Sequence, residues 1–236
     1  MGRVQWKGSA LLAPVPPALV CCRADGEDNV FTVGWTGIVS THPPRTYISV
    51  RPQRHSYAML RKSGVFTVNL MPAALWKTID YCGIFTGARV DKFARTGLLK
   101  AQATEIDCPY LAQSALSLEC RITEVLPQGT HDMFLAEIVA VSANEALLDK
   151  AGRLCLERAG LAAYAHGTYF TLGKPLGRFG DSAKKKKRAP QGKTQTAQTQ
   201  TAKTQNANLS DKGKKEAPQS RNARGGAPAK KTGKKR

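Results

Sequence analysis

Between Leu116 and Thr123 the chain alternates without a fault. Leu116, Leu118, Cys120 and Ile122 are apolar, and Ser117, Glu119, Arg121 and Thr123 are polar. Neighbouring side chains of a strand point to opposite faces, so this period of two predicts a strand with one face buried. Phe31, Val33 and Trp35 repeat the pattern against Thr32, Gly34 and Thr36. Residues 65–70 and 47–50 are short and rich in β-forming side chains. Residues 133–141 are apolar on both faces except at Glu137, which predicts a strand covered on two sides. A turn over 25–29 should join residues 18–23 and 30–39 into a hairpin. Helical pattern is sparse. Ser56 reads as the N-cap of a short helix through Lys62, closed by Gly64, with two more helices over 73–81 and around 144–150. Many strands, few helices and no β–α alternation predict a mainly β chain, a closed or partly closed antiparallel barrel.

Charge divides the chain at Asp181. Residues 1–181 hold 19 basic and 15 acidic side chains, and residues 182–236 hold 17 basic and 2 acidic. The second stretch has no aromatic residue, and Leu209 is its only large aliphatic. It has too little apolar surface to offset its ordering entropy, which predicts a folded domain over 1–181 and a disordered basic tail over 182–236. Such a tail would bind DNA or RNA nonspecifically at low salt. It has no interleaved aromatics for base stacking. No run of about 18 apolar residues is present, so no membrane-spanning helix is expected. Arg3 and Lys7 ahead of residues 11–22 imitate a signal peptide, but Pro14, Pro16 and Pro17 would break its helix. The six cysteines form no C-x-x-C pair, so zinc and a disulfide framework are not expected. These features together predict a cytoplasmic protein with reduced thiols.

The chain has no dinucleotide-binding glycine fingerprint, no phosphate loop of the Walker type, no serine elbow and no paired-histidine zinc motif. If it is an enzyme, the difficult chemistry belongs to a cofactor. Three loops have unusual composition. Residues 35–44 place hydroxyls and a glycine before Pro43-Pro44, which suits hydrogen bonding to the edge of a planar heterocycle but taken alone better suits an ordinary strand exit. Residues 51–57 bring Arg51, Arg54 and Ser56 to a helix start, which suits a phosphate monoester and equally suits a solvated basic loop. Residues 85–93 read as a polar loop anchored by Phe93.

The order of these pieces resembles the flavin reductase-like family with an FMN-binding split barrel, which includes flavoredoxin. The resemblance rests on residues 16–20 and 29–35, on Ser40-Thr41-His42-Pro43-Pro44, and on residues 49–56 and 64–70. Asp91-Lys92-Phe93, Leu118-Glu119-Cys120, Gly129-Thr130-His131, Gly167-Thr168-Tyr169 and Leu172-Gly173 continue it. It implies a Greek-key-like split barrel, a homodimer, one non-covalent FMN per subunit and NAD(P)H as electron donor. Carried over by position, Trp35, Thr36, Gly37, Ile38, Val39 and Ser40 would line the flavin ring. Arg51, Arg54 and Ser56 would hold the phosphate with His55 and Tyr57 beside it, and Lys92 would reach toward the flavin. His131 would lie on the nicotinamide side; Thr130 stands where the family commonly has aspartate. Electrons would pass to an oxygenase or a small redox protein. The competing expectations are a flavoredoxin-type carrier without NAD(P)H turnover and a nucleic-acid-associated protein acting through its tail.

Overall fold

In the computed structural model of the chain, which describes residues 2–184, Asp25 and Gly26 take φ values of 53° and 79°. Two left-handed residues in succession make a hairpin turn whose twist matches its strands. They join β1 (Ala18–Ala24) to β2 (Glu27–Val33), with Ala24 opposite Glu27. The turn is thus shorter than the predicted 25–29, and Asn29 lies inside β2, buried. The predicted strand over 30–39 also divides. Pairing stops at Val33, Gly34 and Trp35 cross over, and β3 (Thr36–Thr41) pairs with β4 (Pro44–Val50).

Next come α1 (His55–Ser63), β5 (Val65–Leu70), α2 (Trp76–Ile84), α3 (Lys92–Thr96), β6 (Lys100–Gln102) and β7 (Pro109–Leu111). The long strands β8 (Leu116–Pro127) and β9 (Asp132–Ala143) follow, then the small hairpin of β10 (Ala162–Ala165) and β11 (Thr168–Thr171). The main sheet has seven strands in the order β2-β1-β5-β8-β9-β4-β3, with every pairing antiparallel. β2 and β3 are consecutive in the chain yet form opposite edges of this sheet. Two register irregularities in the β8–β9 ladder, at Glu119/Cys120 and Ile122/Glu124, add the local bend that curls such a sheet. The predicted mainly β, antiparallel split barrel is the fold observed.

Alternation along β1 sorts the core into two layers. Ala18, Val20 and Cys22 face an inner cluster with Phe31, Ile48, Leu60, Phe66 and Phe134. Leu19 and Cys21 face an outer cluster with Val30, Ile79, Cys82, Cys108 and Leu111, contributed largely by α2 and the 98–111 segment. That outer cover corrects the reading of β8 as half-buried, since Ser117 and Glu119 are 1% and 0% exposed. Glu119 accepts from the Thr104 amide and hydroxyl and from the Glu105 amide. A buried carboxylate needs such donors in place of water.

Gly64 closes α1 as expected, at φ 67° with its amide on the Leu60 carbonyl. Ser56 is not the cap. The helix begins two residues earlier than expected, at His55, Arg54 occupies the cap position without a side-chain hydrogen bond, and Ser56 points inward. The predicted helix over 73–81 is a 3-10 turn, Ala73–Leu75, running into α2, and the one around 144–150 is a single 3-10 turn, Glu145–Leu147. Among the described residues, no helix is long and apolar enough to cross a membrane. From residue 185 onward, the predicted basic tail lies outside the described residues.

Candidate functional site

Beside the crossing from β2 to β3, between β2 and the end of β4, a cleft of about 390 Å³ opens. Thr32, Val33, Gly34 and Trp35 line one side, and Ser49, Val50, Arg51 and Arg54 line the end of β4 and the start of α1. Tyr164 and Tyr169 come from the small hairpin, and His131 from the tip of the β8–β9 hairpin. Beyond Arg54 lies a slot of about 20 Å³ between His55-Ser56 and Phe85-Thr86-Gly87, with Lys92 at its wall. Cleft and slot share Phe31, Thr32, Arg54 and Gly83, so the two spaces adjoin.

The mouth of the cleft is aromatic. Trp35 is 46% exposed, and its ring lies 4.5 Å from that of His131. The Arg51 Nε donates toward His131 Nε2 at 3.4 Å, and the Thr130 hydroxyl lies 2.9 Å from Nδ1. With Nε2 accepting, the imidazole carries its proton on Nδ1 and is neutral. Burial, then the guanidinium groups of Arg51 and Arg54, hold its pKa below the ordinary histidine value. On the opposite wall, Tyr169 sits 5.1 Å from Tyr164 and donates to Asp80 at 3.2 Å. Burial first, then the Asp80 carboxylate, pushes its phenol up to about 12.

The slot is drier. Lys92 is 3% exposed, and its Nζ donates to the carbonyls of Val30 and Cys82, both at 2.8 Å. Burial lowers its pKa, and Arg54 adds to the effect. Lys92 therefore ties β2 to the end of α2 while standing in the slot wall. Ser56 is 3% exposed and its Oγ accepts from Asn29 Nδ2 at 2.8 Å. Neither Arg51 nor Arg54 has a carboxylate partner among the described residues. Two uncompensated guanidinium groups facing adjoining concavities form an anion-attracting wall.

Other expected residues lie elsewhere. Thr36, Gly37, Ile38, Val39 and Ser40 do not line this cleft, because β3 is the outer edge strand. Thr36 donates to the Tyr47 carbonyl at 2.5 Å, Gly37 lies against the Tyr47 ring, and Ile38 and Val39 are exposed. Tyr57 also points away. Its hydroxyl donates to Asp132 at 2.6 Å and its ring meets Phe134 edge-on. Helical geometry turns each residue about 100° from the last, so Ser56 and Tyr57 cannot face the same space. Residues absent from the expectation are Asn29, Thr32, Gly83, Thr86, Gly87 and Tyr164. The available signal was a buried-face polar residue at Asn29 and glycines flanking a loop that a neighbour approaches closely.

The flavin reductase-like domain family matches residues 11–173, more than half of the chain. The chain belongs to this family. Among its flavin reductase-like relatives is a protein named as the reductase component of 4-nitrophenol 4-monooxygenase/4-nitrocatechol 2-monooxygenase from Rhodococcus opacus. It is 28% identical over 129 residues, covering 53% of this chain and 64% of that protein. A protein named FMN reductase (NADH) RutF from Enterobacter cloacae is 26% identical over 111 residues, covering 47% and 65%. The chain thus spans about half to two-thirds of the length of the curated relatives it matches. Flavoredoxin of Desulfovibrio vulgaris superposes with a TM-score of 0.72 at 25% identity, over 78% of this chain and all of that one. An FMN-binding protein from Thermus thermophilus, solved with 1-cyclohex-2-enone, gives 0.62 at 26% identity, over 72% and 96%.

Proposed function

We propose that the protein is an FMN-dependent flavin reductase that takes electrons from NADH or NADPH and passes them to an acceptor, an oxygenase or a small redox protein. The observation that carries this reading is the adjoining of an aromatic-rimmed cleft and a cationic slot, both beside β2 and the start of α1. The residues present fit the group. Arg51 and Arg54 lack carboxylate partners among the described residues and suit a phosphate dianion. Trp35 and Tyr169 offer flat walls, and the Gly34 backbone lines the cleft without a side chain, where it can meet a heterocycle edge-on. When bound, FMN supplies the two-electron chemistry by accepting a hydride at its N5. The chain's own task is orientation and charge: Trp35 and His131 wall the open side, and Arg54, His55 and Ser56 hold the phosphate with Lys92 behind them. His131, half-buried at the mouth, borders the side from which nicotinamide would approach. We place this activity in residues 1–181, as a cytoplasmic homodimer that covers the exposed Ile38, Val39, Ile84 and Phe85. The basic segment 182–236 is an accessory; equal heparin retention with and without it would remove it from this reading.

The similarity to flavoredoxin favours a second reading, a bound-flavin electron carrier. Anaerobic addition of NADH and then NADPH to the yellow protein separates the two. Bleaching by either supports the reductase; bleaching by dithionite alone supports the carrier. A purified protein that neither holds nor binds FMN would overturn both. For the phosphate seat, Arg54→Ala should weaken FMN by about ten- to a hundredfold and leave riboflavin nearly unchanged. Equal weakening of the two ligands would remove Arg54 from the phosphate.

A further inference from the structure

The sequence places Asn29 beside a turn, yet the structure buries it to 5% exposure within β2, between α1 and the 85–90 loop. A polar side chain at such a position is costly unless its hydrogen bonds are made. Its Nδ2 donates to Ser56 Oγ at 2.8 Å. Its Oδ1 faces Gly87 so closely that a Cβ built there would lie 2.3 Å away, and 3.1 Å from His55 Cδ2. The loop backbone can close on Asn29 only because residue 87 has no side chain.

A hydroxyl has one proton and two lone pairs. With a lone pair of Ser56 Oγ engaged by Asn29, its proton is left to donate, and no protein acceptor takes it among the described residues. The groups around the slot are Arg54, His55, Thr86 and Lys92. None of the charged ones is an anion, and among the described residues the Ser56 hydroxyl donates to no side chain or carbonyl, so an anionic ligand would supply the acceptor. We infer that Asn29 is a positioning residue that fixes the Ser56 hydroxyl as a hydrogen-bond donor into the slot and so sets the preference for a phosphorylated flavin over riboflavin. This rests on the phosphate seat proposed above and adds to it a residue that touches no ligand.

The test measures FMN and riboflavin affinities of the full chain by flavin fluorescence quenching. The variants are Asn29→Asp, Asn29→Ala, Ser56→Ala and the double variant Asn29→Ala/Ser56→Ala. A carboxylate at 29 can only accept, so it turns the Ser56 proton away from the slot and adds a like charge near the phosphate. Asn29→Asp should lower the ratio of FMN to riboflavin affinity by roughly tenfold or more. Asn29→Ala should lower the ratio about as much as Ser56→Ala, and the double variant no further, because one acts through the other. Equal weakening of both ligands in the Asn29 variants, or additive losses in the double variant, would make Asn29 a structural residue only and overturn the inference. If Asn29→Asp fails to fold, the alanine cycle decides alone. A wild-type ratio near one would instead mean that no phosphate seat exists, which is the failure of the proposed function and not of Asn29.

Discussion

The two ends of the candidate site are built in opposite ways. The cleft is open and walled by Trp35, His131, Tyr164 and Tyr169, side chains carried on a strand crossing and on hairpins. The slot is narrow, and three of its contributors, Lys92, Ser56 and Asn29, are each at most 5% exposed and hydrogen-bonded inside the protein. Rings that touch mainly by their faces tolerate small shifts, whereas buried polar groups lose full hydrogen bonds when a partner moves. The cleft can therefore accept varied planar groups, while the slot reads one charged end strictly. Substitutions at the slot should cost stability or charge discrimination, and those at the cleft should cost affinity without discrimination.

Lys92 carries the largest expected effect. Lys92→Met would keep the bulk of the side chain and leave the Val30 and Cys82 carbonyls without their donor. Each buried carbonyl left unpaired costs about 1–3 kcal/mol, so for the two of them urea unfolding should show a loss of roughly 2–6 kcal/mol. A loss below about 0.5 kcal/mol would mean those carbonyls find other partners, and the contrast between a rigid slot and a tolerant cleft would fall with it.

How much of this was legible in the sequence follows from the range over which each residue's partners act. The strands were, because alternation along β5, β8 and β9 reports burial directly. The crossing at Gly34-Trp35 was not, because the same alternation runs unbroken from Phe31 to Trp35 while the backbone changes sheet edge. Ser117 and Glu119 looked solvent-facing because their cover comes from Asn69 and from Thr104-Glu105, which no local pattern announces. The 51–57 loop was recognised as a unit, yet its residues separate: Arg54 faces the cleft, Ser56 the interior and Tyr57 Asp132. Residue type identified the chemistry, and the helical turn decided which residues could supply it. By composition Asn29 belongs to the turn over 25–29, whereas in the structure Asp25-Gly26 alone makes the turn and leaves Asn29 in the strand.

At the cleft, Trp35→Ala removes one flat wall and the ring contact with His131. Aromatic contacts of this kind contribute about 0.5–1.5 kcal/mol, so FMN and riboflavin should both weaken by about three- to tenfold. The contrast is sharpened if their ratio stays at the wild-type value. A fall in the ratio would show Trp35 acting on the phosphate end, and the division between the two ends would need redrawing.

The smallest effect is a titration at the mouth of the cleft. His131 is pulled below the ordinary histidine pKa by burial first and by Arg51 and Arg54 after it. Both causes act against the imidazolium, so protonation of the native ring requires a pH below the usual 6.5, and the unfolded chain takes up that proton first. The free-energy advantage of the native state from this group is present above 6.5 and declines as the pH falls below it. Arg51→Gln removes one like charge and leaves the burial, so proton NMR of the His131 ring should show its pKa rising while remaining under 6.5. Arg54→Gln should move it in the same direction by less, as the last-named of the three causes. If neither substitution moves the titration, the guanidinium charges do not reach the cleft mouth. The two ends would then be electrostatically independent, and a phosphate seated in the slot would leave the protonation of His131 unchanged.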